Sequence, residues 1–541
     1  MEPTSDERTT VLVVGAGPVG LTAAAELARH GAQVRLVDAL DGPSGEFRAI
    51  TVHPRTQEHL SAMGVLDRIV DRAQEITAVE FHVRGEARPR VRLTTDDVDS
   101  RFRRILDVPQ VDTETALREV VAERGVVVEY GTRCEALDQD DDGVTVTLAS
   151  PEGREQRRYG WVVGADGGHS AIRAAVGVRL EGEFEGECSV LADVDVETEL
   201  PPTALRLFVD PRGGGGVFPL ADGRAKIAAR VPRPEPGATP TVGEVQRVVD
   251  EQMGGHWRLG TAHWLTYFES RHAQVARYRH GRVLLAGDAA HIHPPAAGQG
   301  MNTGIQDAVD LAWKLALVST GRAHDDLLDT YDAERHPVGA AVVAQTSRLN
   351  DLLAADGIGA HLRDLGLRLL GHLPVLGGRL MADMTETTVT YRTGGGRPGA
   401  GSPPVAGDHA PDVTDLRTAD GDPTHLDVLL RRPGHLLLVV GAEESDLERL
   451  QDVLGALGAV VPVRRSSTGA TPDAVIDTVE GFARRYGLGD HGFVLVRPDG
   501  YVALLSRDLD ARPLAEYLSL HHLDVGHEPA SRAASRRGRR S

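Results

Sequence analysis

Cysteine and lysine are scarce in this chain of 541 residues. Cys134 and Cys188 are the only cysteines, and neither stands in a C-x-x-C pair. Two such distant thiols exclude a disulfide framework, a zinc ribbon and a dithiol redox centre. Lys226 and Lys314 are the only lysines, and 59 basic against 79 acidic residues give a net charge of −20. This acidic balance argues against a nucleic-acid partner.

Long hydrophobic runs are also missing. No segment approaches the ~18 apolar residues of a membrane-spanning helix, and the run from Leu436 to Ala442 has only the length of a strand. The N-terminus, MEPTSDERTT, is polar and acidic where a signal peptide needs a basic start and an apolar stretch. We therefore expect a cytoplasmic protein without membrane contact. Its hydrophobic content of 41% is ordinary for a globular chain, and its length suggests several domains.

The beginning of the chain predicts a dinucleotide site. A strand at Thr10–Val14 leads into a G-x-G-x-x-G turn, a helix follows over Leu21–His30, and a second strand, Gln33–Val37, ends at Asp38. The glycines permit a tight turn, close approach of a diphosphate and packing of the helix on the strand. The helix N-terminus favours an anion, and Asp38 can accept hydrogen bonds from a ribose hydroxyl. The turn consists of Gly15, Ala16, Gly17, Pro18, Val19 and Gly20.

Two later motifs distinguish FAD from NAD. A strand from Trp161 ends in Asp166-Gly167 before a helix start, and a strand at Val283–Leu285 precedes GDAAHIHPPAAGQGMN at residues 287–302. With the glycine turn, they run in order over about residues 10 to 345. In this the sequence resembles the class A FAD-dependent aromatic hydroxylases, which are single-component flavoprotein monooxygenases.

The last motif can hold the flavin end of the cofactor. Asp288, at a strand end, can accept hydrogen bonds from sugar-like hydroxyls, which the resemblance assigns to the ribityl chain; a helix N-cap is the alternative. The turn after it offers N–H groups to an anionic oxygen, and the family uses them for the flavin pyrimidine edge. Ala297 departs from the family, which usually has glycine there. The resemblance counts these residues of the turn as cofactor-binding: Pro295, Gly298, Gly300, Met301 and Asn302.

The resemblance assigns further cofactor contacts less specifically. Arg48 matches an arginine that reaches the cofactor, and Gln110 matches a polar residue near the diphosphate and ribityl region; either could instead be an exposed polar residue. The segment at Cys134 contacts adenine through its backbone in the family, and the thiol itself suits a buried small residue. Asp166 and Arg173 are implicated in transient NAD(P)H binding, with NADPH favoured, although Arg173 could equally lie on the surface.

Neither a catalytic acid or base nor a metal site is predicted. His291 and His293 form an H-x-H pair, but no third ligand stands at a suggestive spacing.

The predicted fold is α/β, with a Rossmann-like FAD-binding domain and a β-rich substrate domain. The stretch RPDGYV at residues 497–502 resembles one that recurs in the C-terminal thioredoxin-like α/β domain of larger family members, so a domain of this kind is expected here as well. The thioredoxin-like region contains no cysteine, so it cannot perform thiol chemistry. The predicted boundaries are 1–180 and 273–400 for the FAD-binding domain, with a hairpin near 78–93 given to the substrate domain, then 181–272 for the substrate domain, 407–525 for the thioredoxin-like domain and 526–541 for a disordered tail.

The resemblance implies a monooxygenase that reduces FAD with NAD(P)H and hydroxylates a bulky polycyclic aromatic of polyketide type, as in antibiotic biosynthesis. Reduced flavin would react with O₂ to give a C4a-hydroperoxide that transfers oxygen to the ring. Baeyer–Villiger insertion into a ketone, a flavin-dependent reductase and a non-catalytic flavin-binding protein stay open. The W-x-W-x-I-P stretch of flavin halogenases is absent. A homodimer is a further expectation, and the substrate itself is not readable.

Overall fold

The computed structural model describes residues 10–45, 47, 49–83, 86–92, 100–183, 188–210, 213–269, 271–293, 298–354, 386–392 and 402–523. The predicted tail at 526–541 lies outside them, as do Arg48 and Pro295. The chain divides into two compact units, Met1–Ala312 with Thr330–Val389 and Trp313–Asp329 with Thr390–Ser541. Within the described ranges, every helix is too short or too polar to cross a lipid bilayer.

In its described residues, the first unit forms five sheets and includes most of the helices. Its strands, in chain order, are β1 (Thr10–Val14), β2 (Gln33–Val37), β3 (Thr51–Val52), β4 (Gln74–Ile76), β5 (Ala78–Val83), β6 (Glu86–Arg92), β7 (Ile105–Asp107), β8 (Val128–Glu129), β9 (Arg133–Asp140), β10 (Gly143–Ser150), β11 (Gly153–Tyr159), β12 (Trp161–Gly164), β13 (Glu181–Glu183), β14 (Cys188–Glu197), β15 (Ala204–Val209), β16 (Gly215–Pro219), β17 (Arg224–Val231), β18 (Arg258–Glu269), β19 (His272–Gln274), β20 (Arg279–His280), β21 (Val283–Leu285) and β22 (His291–Ile292).

The helices that begin in this unit are α1 (Pro18–Arg29), α2 (Pro54–Met63), α3 (Leu66–Ile69), α4 (Gln110–Glu123), α5 (Ala171–Ala175), α6 (Val242–Gln252) and α7 (Gln299–Ser319). Helix α8 (Asp329–Ala354) begins at Asp329, which is assigned to the second unit, and continues in the first unit from Thr330.

A six-stranded sheet carries the glycine turn. Its order is β20-β21-β12-β1-β2-β8, and all neighbouring pairs are parallel except β20 with β21. The central β1 is apolar and buried, as is typical of an internal strand in a parallel sheet whose two faces are both covered. The alanine-rich α1 buries Leu21, Ala24 and Ala25 completely, and small side chains let this helix lie close to the strands. The predicted strands at 10–14 and 33–37 are confirmed, and α1 starts at Pro18, earlier than predicted, because proline suits a first helical turn.

A seven-stranded sheet forms a second layer. Its order is β18-β14-β17-β16-β15-β5-β6, and the hairpin β5–β6 joins it through parallel pairing of β5 with β15. Because side chains alternate along a strand, its two faces differ. On β17, Ile227 packs into a core with Val245 and Val249 of α6, whereas Lys226 and Ala228 point to the opposite face.

The second unit is a smaller α/β structure. Its strands are β23 (Arg417–Thr418), β24 (His435–Val440), β25 (Gly458–Arg464), β26 (Val475–Ile476), β27 (Gly492–Val496) and β28 (Val502–Ser506), and its helices are α9 (Leu426–Leu429), α10 (Glu444–Leu454), α11 (Gly481–Tyr486) and α12 (Arg512–Leu520). The sheet order is β23-β26-β25-β24-β27-β28. Leu437 of the central strand packs with Leu450 of α10 and Leu514 of α12. The domain boundaries predicted from the sequence for the FAD-binding, substrate and thioredoxin-like domains stay a prediction.

Candidate active site

A cavity of about 580 Å³ opens in the first unit at the carboxyl ends of β1, β2 and β12. Ligands of open parallel sheets bind at this edge, because the loops that follow the strands meet there. Most of the residues predicted to bind a cofactor line the cavity, although their individual contacts stay predictions. These lining residues are Gly15, Gly17, Pro18, Val19, Asp38, Gln110, Cys134, Asp166, Asp288, Gly298, Gly300 and Met301.

The three glycines in the first turn differ in what surrounds them in the structure. Gly15 has φ +105°, and a Cβ there would lie 2.3 Å from the Ala165 carbonyl oxygen. A Cβ on Gly20 would lie 1.8 Å from the carbonyl oxygen of Gly15, so Gly20 is needed for helix packing and does not itself line the cavity. A Cβ on Gly17 would meet no protein atom within 4 Å. The fold tolerates a side chain at Gly17, and the open space beside it fits a bound diphosphate.

Hydrogen bonds shape the rim of this turn. Asp38 accepts from the backbone N–H groups of Ala16, at 2.6 Å, and Leu40, at 2.8 Å, with one bond on each carboxylate oxygen. Each oxygen keeps acceptor capacity for a hydroxyl group. Gly17 is the N-cap of α1 and provides no side-chain cap. The free N–H groups of that helix end therefore favour an anion in the cavity.

Asp166 acts as a cap for α5. Its carboxylate accepts from the backbone N–H groups of Ala171 and Ile172, at 2.7 and 3.1 Å, and from the Ser170 hydroxyl at 2.5 Å. Burial raises the pKa of Asp166, and these hydrogen bonds act in the opposite direction. The side chain thus already has protein partners, and its predicted part in NAD(P)H binding stays a prediction.

Arg173 joins the two later motifs. Its guanidinium donates to the Gly168 carbonyl at 2.6 Å and to the Ala289 carbonyl at 3.1 Å. Ala289 belongs to the 3₁₀ turn Gly287–Ala289, in which Asp288 is the exposed residue that lines the cavity. Arg173 is therefore a cross-link between loops rather than a surface arginine.

Asn302 fixes the turn at the start of α7. It is fully buried, accepts from the His53 N–H at 2.9 Å and donates to the carbonyls of Thr51 and Gly298 at 2.8 and 2.7 Å. Gly298 has φ +68°, and a Cβ there would lie 2.7 Å from Thr51 Cβ, so glycine is required. Asn302 does not line the cavity; its side chain holds the neighbours that do. Pro295 and Ala297 lie outside the described residues.

Gln110 and Cys134 complete the predicted set. Gln110 starts α4, accepts from the Ala49 N–H at 2.9 Å and donates to Glu114 at 2.8 Å, so it orders the loop beside the cavity. Cys134 lies within β9, although no strand was predicted there. Burial raises the pKa of its thiol to about 11. The residue is a protonated, small side chain at neutral pH, as expected.

The sequence predicted a substrate domain at 181–272 but identified no contact residue in it. The structure supplies candidates, because one wall of the cavity is the face of the seven-stranded sheet that does not contact α6. Lys226 is the charged side chain among these residues. Lysine is rare in this sequence, and that rarity was the signal that could have identified Lys226. The wall residues on β14, β16, β17 and β18 are Leu191, Phe218, Lys226, Ala228 and Phe268.

His291, one half of the H-x-H pair, has a protein partner. Its Nε2 lies 2.7 Å from Asp307 of α7, and Arg335 of α8 donates to the same carboxylate at 2.8 Å. Burial opposes ionisation of Asp307, but the charges of Arg335 and His291 prevail and hold its pKa below the usual value. His293 lines the cavity instead.

Comparisons with known proteins agree with this geometry. A family model described as an FAD binding domain matches residues 8–346. The 6-methylpretetramide 4-monooxygenase of Streptomyces rimosus is 33% identical over 548 residues, covering 95% of this chain and 93% of that protein. The rifampicin monooxygenase of Streptomyces venezuelae is 36% identical over 398 residues, covering 71% and 80%.

Solved structures extend the similarity to nearly the whole chain. The anhydrotetracycline hydroxylase from Streptomyces rimosus has a TM-score of 0.78 and 32% identity, covering 95% of this chain and 99% of that one. A ternary complex of aklavinone-11 hydroxylase with FAD and aklavinone has a TM-score of 0.74 and 28% identity, covering 95% and 98%. These matches confirm the predicted fold class and the FAD cofactor. The chain belongs to the FAD-dependent aromatic hydroxylases and is an FAD-dependent monooxygenase.

Proposed function

We propose that this protein hydroxylates a bulky polycyclic aromatic of polyketide type with one atom of O₂, and that NAD(P)H, preferably NADPH, reduces its FAD. The proposal rests on one observation: the predicted cofactor residues and an apolar sheet face line the same cavity. The glycine turn with Asp38 forms one part of its wall, and an apolar sheet face with Phe218 and Phe268 forms another. Cofactor and ring system can therefore meet in one space.

The chain's own residues bind, orient and exclude water in this proposal. The N-terminus of α1 binds the diphosphate, and Asp38 accepts from the ribose. Gly300 and Met301 line the cavity at the N-terminus of α7, and in this proposal the N–H groups of that helix end stabilise negative charge on the flavin. The apolar wall keeps water from the reacting oxygen. Bound FAD supplies the oxygen transfer through its C4a-hydroperoxide.

The relatives support the substrate class. The names of two relatives specify a pretetramide and a rifampicin as substrates, and one solved relative contains aklavinone. All three are large multi-ring molecules. The aromatic and aliphatic side chains of the sheet wall offer the flat apolar contact that such a substrate needs.

The test is isotope labelling with anhydrotetracycline as the probe. Denatured holoenzyme should release FAD, and NADPH should reduce the bound flavin faster when the probe is present. Turnover in ¹⁸O₂ should place one labelled oxygen on a ring carbon, and rapid mixing of reduced enzyme with O₂ should show a transient oxygen adduct of the flavin. Label in a lactone would establish Baeyer–Villiger insertion instead. Anaerobic reduction of the probe without label would establish a reductase.

A further inference from the structure

Lys226 is a buried cation in the apolar wall of the cavity. It lies on β17, is only 4% exposed and lines the cavity. In the sheet it pairs with Asp193 on β14 and Phe218 on β16. Its Nζ lies 5.8 Å from the centre of the Phe47 ring, within the range of a cation–π contact. An ammonium group in such surroundings needs a reason, because burying a charge is costly.

The carboxylates near Lys226 have other partners or resist ionisation. Asp193 is paired with Arg224, whose Nε donates to it at 3.2 Å. Asp107, at the end of β7, accepts from the Thr51 hydroxyl at 2.8 Å, and burial raises its pKa to about 7. Burial lowers the pKa of Lys226 to about 8, against the attraction of both carboxylates. Lys226 therefore carries its charge at neutral pH within the wall of the cavity.

The position of Lys226 distinguishes it from the other cation of the cavity. Among the described lining residues, arginine and lysine occur only as Arg133 and Lys226. Arg133 is on β9, next to Cys134 at the end assigned to adenine by the family resemblance. Lys226 shares its wall with Phe218 and Ala228, where the proposed function puts the aromatic substrate.

We propose that the Lys226 ammonium binds an ionised phenol or enol oxygen of the substrate and thereby selects hydroxylated ring systems. The inference rests on the proposed function and adds the chemical group that is recognised. On binding, the phenol loses its proton to water, Lys226 keeps its own, and a phenolate–ammonium pair forms. An opposite charge within a few ångströms stabilises the ionised form of an acid. A phenolate ring is also richer in electrons and reacts more readily with an electrophilic oxygen.

The pH dependence of this pair has a definite sign. Phenolate binding needs protonated Lys226, so affinity falls as the pH rises through the range in which Lys226 loses its proton. Among the residues that the structure describes, Asp107, Asp193 and Arg224 are charged groups that face this site from β7, β14 and β17. Ionisation of Asp107 near pH 7 adds a negative charge that competes with the phenolate for Lys226. Affinity for a phenolate is therefore highest on the acidic side of neutrality, provided that the bound phenol is ionised.

The experiment uses FAD-loaded protein and two probes, 2-hydroxyanthraquinone and unsubstituted anthraquinone. Binding is measured from difference spectra, in which the phenolate of the first probe absorbs at longer wavelength than the phenol. We expect the wild type to bind 2-hydroxyanthraquinone as phenolate at a pH below that at which the free probe ionises. Binding as neutral phenol across the whole pH range would overturn the proposal without any variant.

The variants test the residue itself. Lys226→Met should weaken binding of 2-hydroxyanthraquinone about tenfold or more, the scale of a charge-assisted hydrogen bond, and abolish the phenolate band, while anthraquinone binding stays unchanged. Lys226→Arg should retain the band. Lys314→Met replaces the other buried lysine, which does not line the described cavity, and should behave as wild type. Equal loss of both probes in Lys226→Met, or no loss, would refute the proposal. FAD content and ¹⁸O labelling report separately on the proposed function.

Discussion

The three glycines of the turn have different roles. Gly15 and Gly20 avoid collisions with backbone atoms, whereas Gly17 leaves open space beside the cavity. The motif assigned them, in that order along the chain, a tight turn, close approach of a diphosphate and helix packing, and the collisions at Gly15 and Gly20 agree with the first and third of these roles. The sequence could not identify the atoms that each glycine avoids, because that depends on which atoms surround each Cα in the fold.

Gly17→Val should abolish FAD retention while the protein still folds. A Cβ at this position meets no protein atom within 4 Å, but the valine side chain enters the space required by the diphosphate. The measurement is the FAD-to-protein ratio after purification, together with far-UV circular dichroism. Gly243→Val is the matched control, because Gly243 is exposed on α6 and a Cβ there also meets open space; it should keep its FAD. A yellow Gly17→Val protein with full FAD content would contradict the assignment of the diphosphate.

At the scale of elements, buried segments were predictable and exposed strands were not. The apolar runs of β1, β2, β12 and β24 have the pattern of covered strands, and they appear where predicted. The strands β9 and β11 read RCEALDQD and GREQRRY, and most of their side chains are exposed. Pairing with β10 between them holds these strands in the sheet. Such backbone pairing between exposed strands leaves no hydrophobic period in the sequence.

Loss of the Arg173 cross-link should loosen the two loops that it joins. Arg173→Met removes hydrogen bonds to the carbonyls of Gly168 and Ala289, each worth roughly 1 kcal/mol or somewhat more. We expect FAD affinity to fall about tenfold, the equivalent of ~1.4 kcal/mol, measured by fluorescence titration of apoprotein. The exposed neighbour Arg179 provides the control variant Arg179→Met. Unchanged affinity in Arg173→Met would show that the loops keep their positions without the cross-link.

The buried carboxyl group of Glu386, which follows α8 in the chain, should make the stability of the first unit depend on pH. Glu386 accepts from the Thr303 hydroxyl at 3.0 Å and from the Gln306 amide of α7. Burial raises its pKa to about 7. The folded state then binds a proton that the unfolded state has released, so the stability this group contributes is present at low pH and is lost as pH rises through about 7.

Glu386→Gln should remove that dependence, because an amide does not titrate. Relative to the wild type, the variant should gain unfolding free energy as the pH is raised from 5 to 8, by up to about 3 kcal/mol. Urea unfolding at each pH, followed by circular dichroism, measures the difference. Parallel pH profiles for the two proteins would mean that Glu386 is already ionised at pH 5.

At the scale of the whole molecule, the order of the motifs revealed the family, but the substrate wall had to come from the structure. The FAD motifs are contiguous stretches whose chemistry is legible in the sequence. Lys226, Leu191 and Phe268 lie on three strands, and only the pairing of β14 with β17 and β18 brings them to one face. A shift of one residue in that register would turn Lys226 toward α6 and Ile227 toward the cavity.

The whole molecule should perform its redox chemistry without any thiol. Residues 390–541 contain no cysteine, and both Cys134 and Cys188 are buried, free thiols whose pKa is raised by burial. Neither is a nucleophilic thiolate at neutral pH. The double variant Cys134→Ser/Cys188→Ser should therefore keep bound FAD and turn over NADPH and O₂ at a rate close to that of the wild type. If turnover fell by orders of magnitude with FAD still bound, one of these two cysteines would take part in electron transfer.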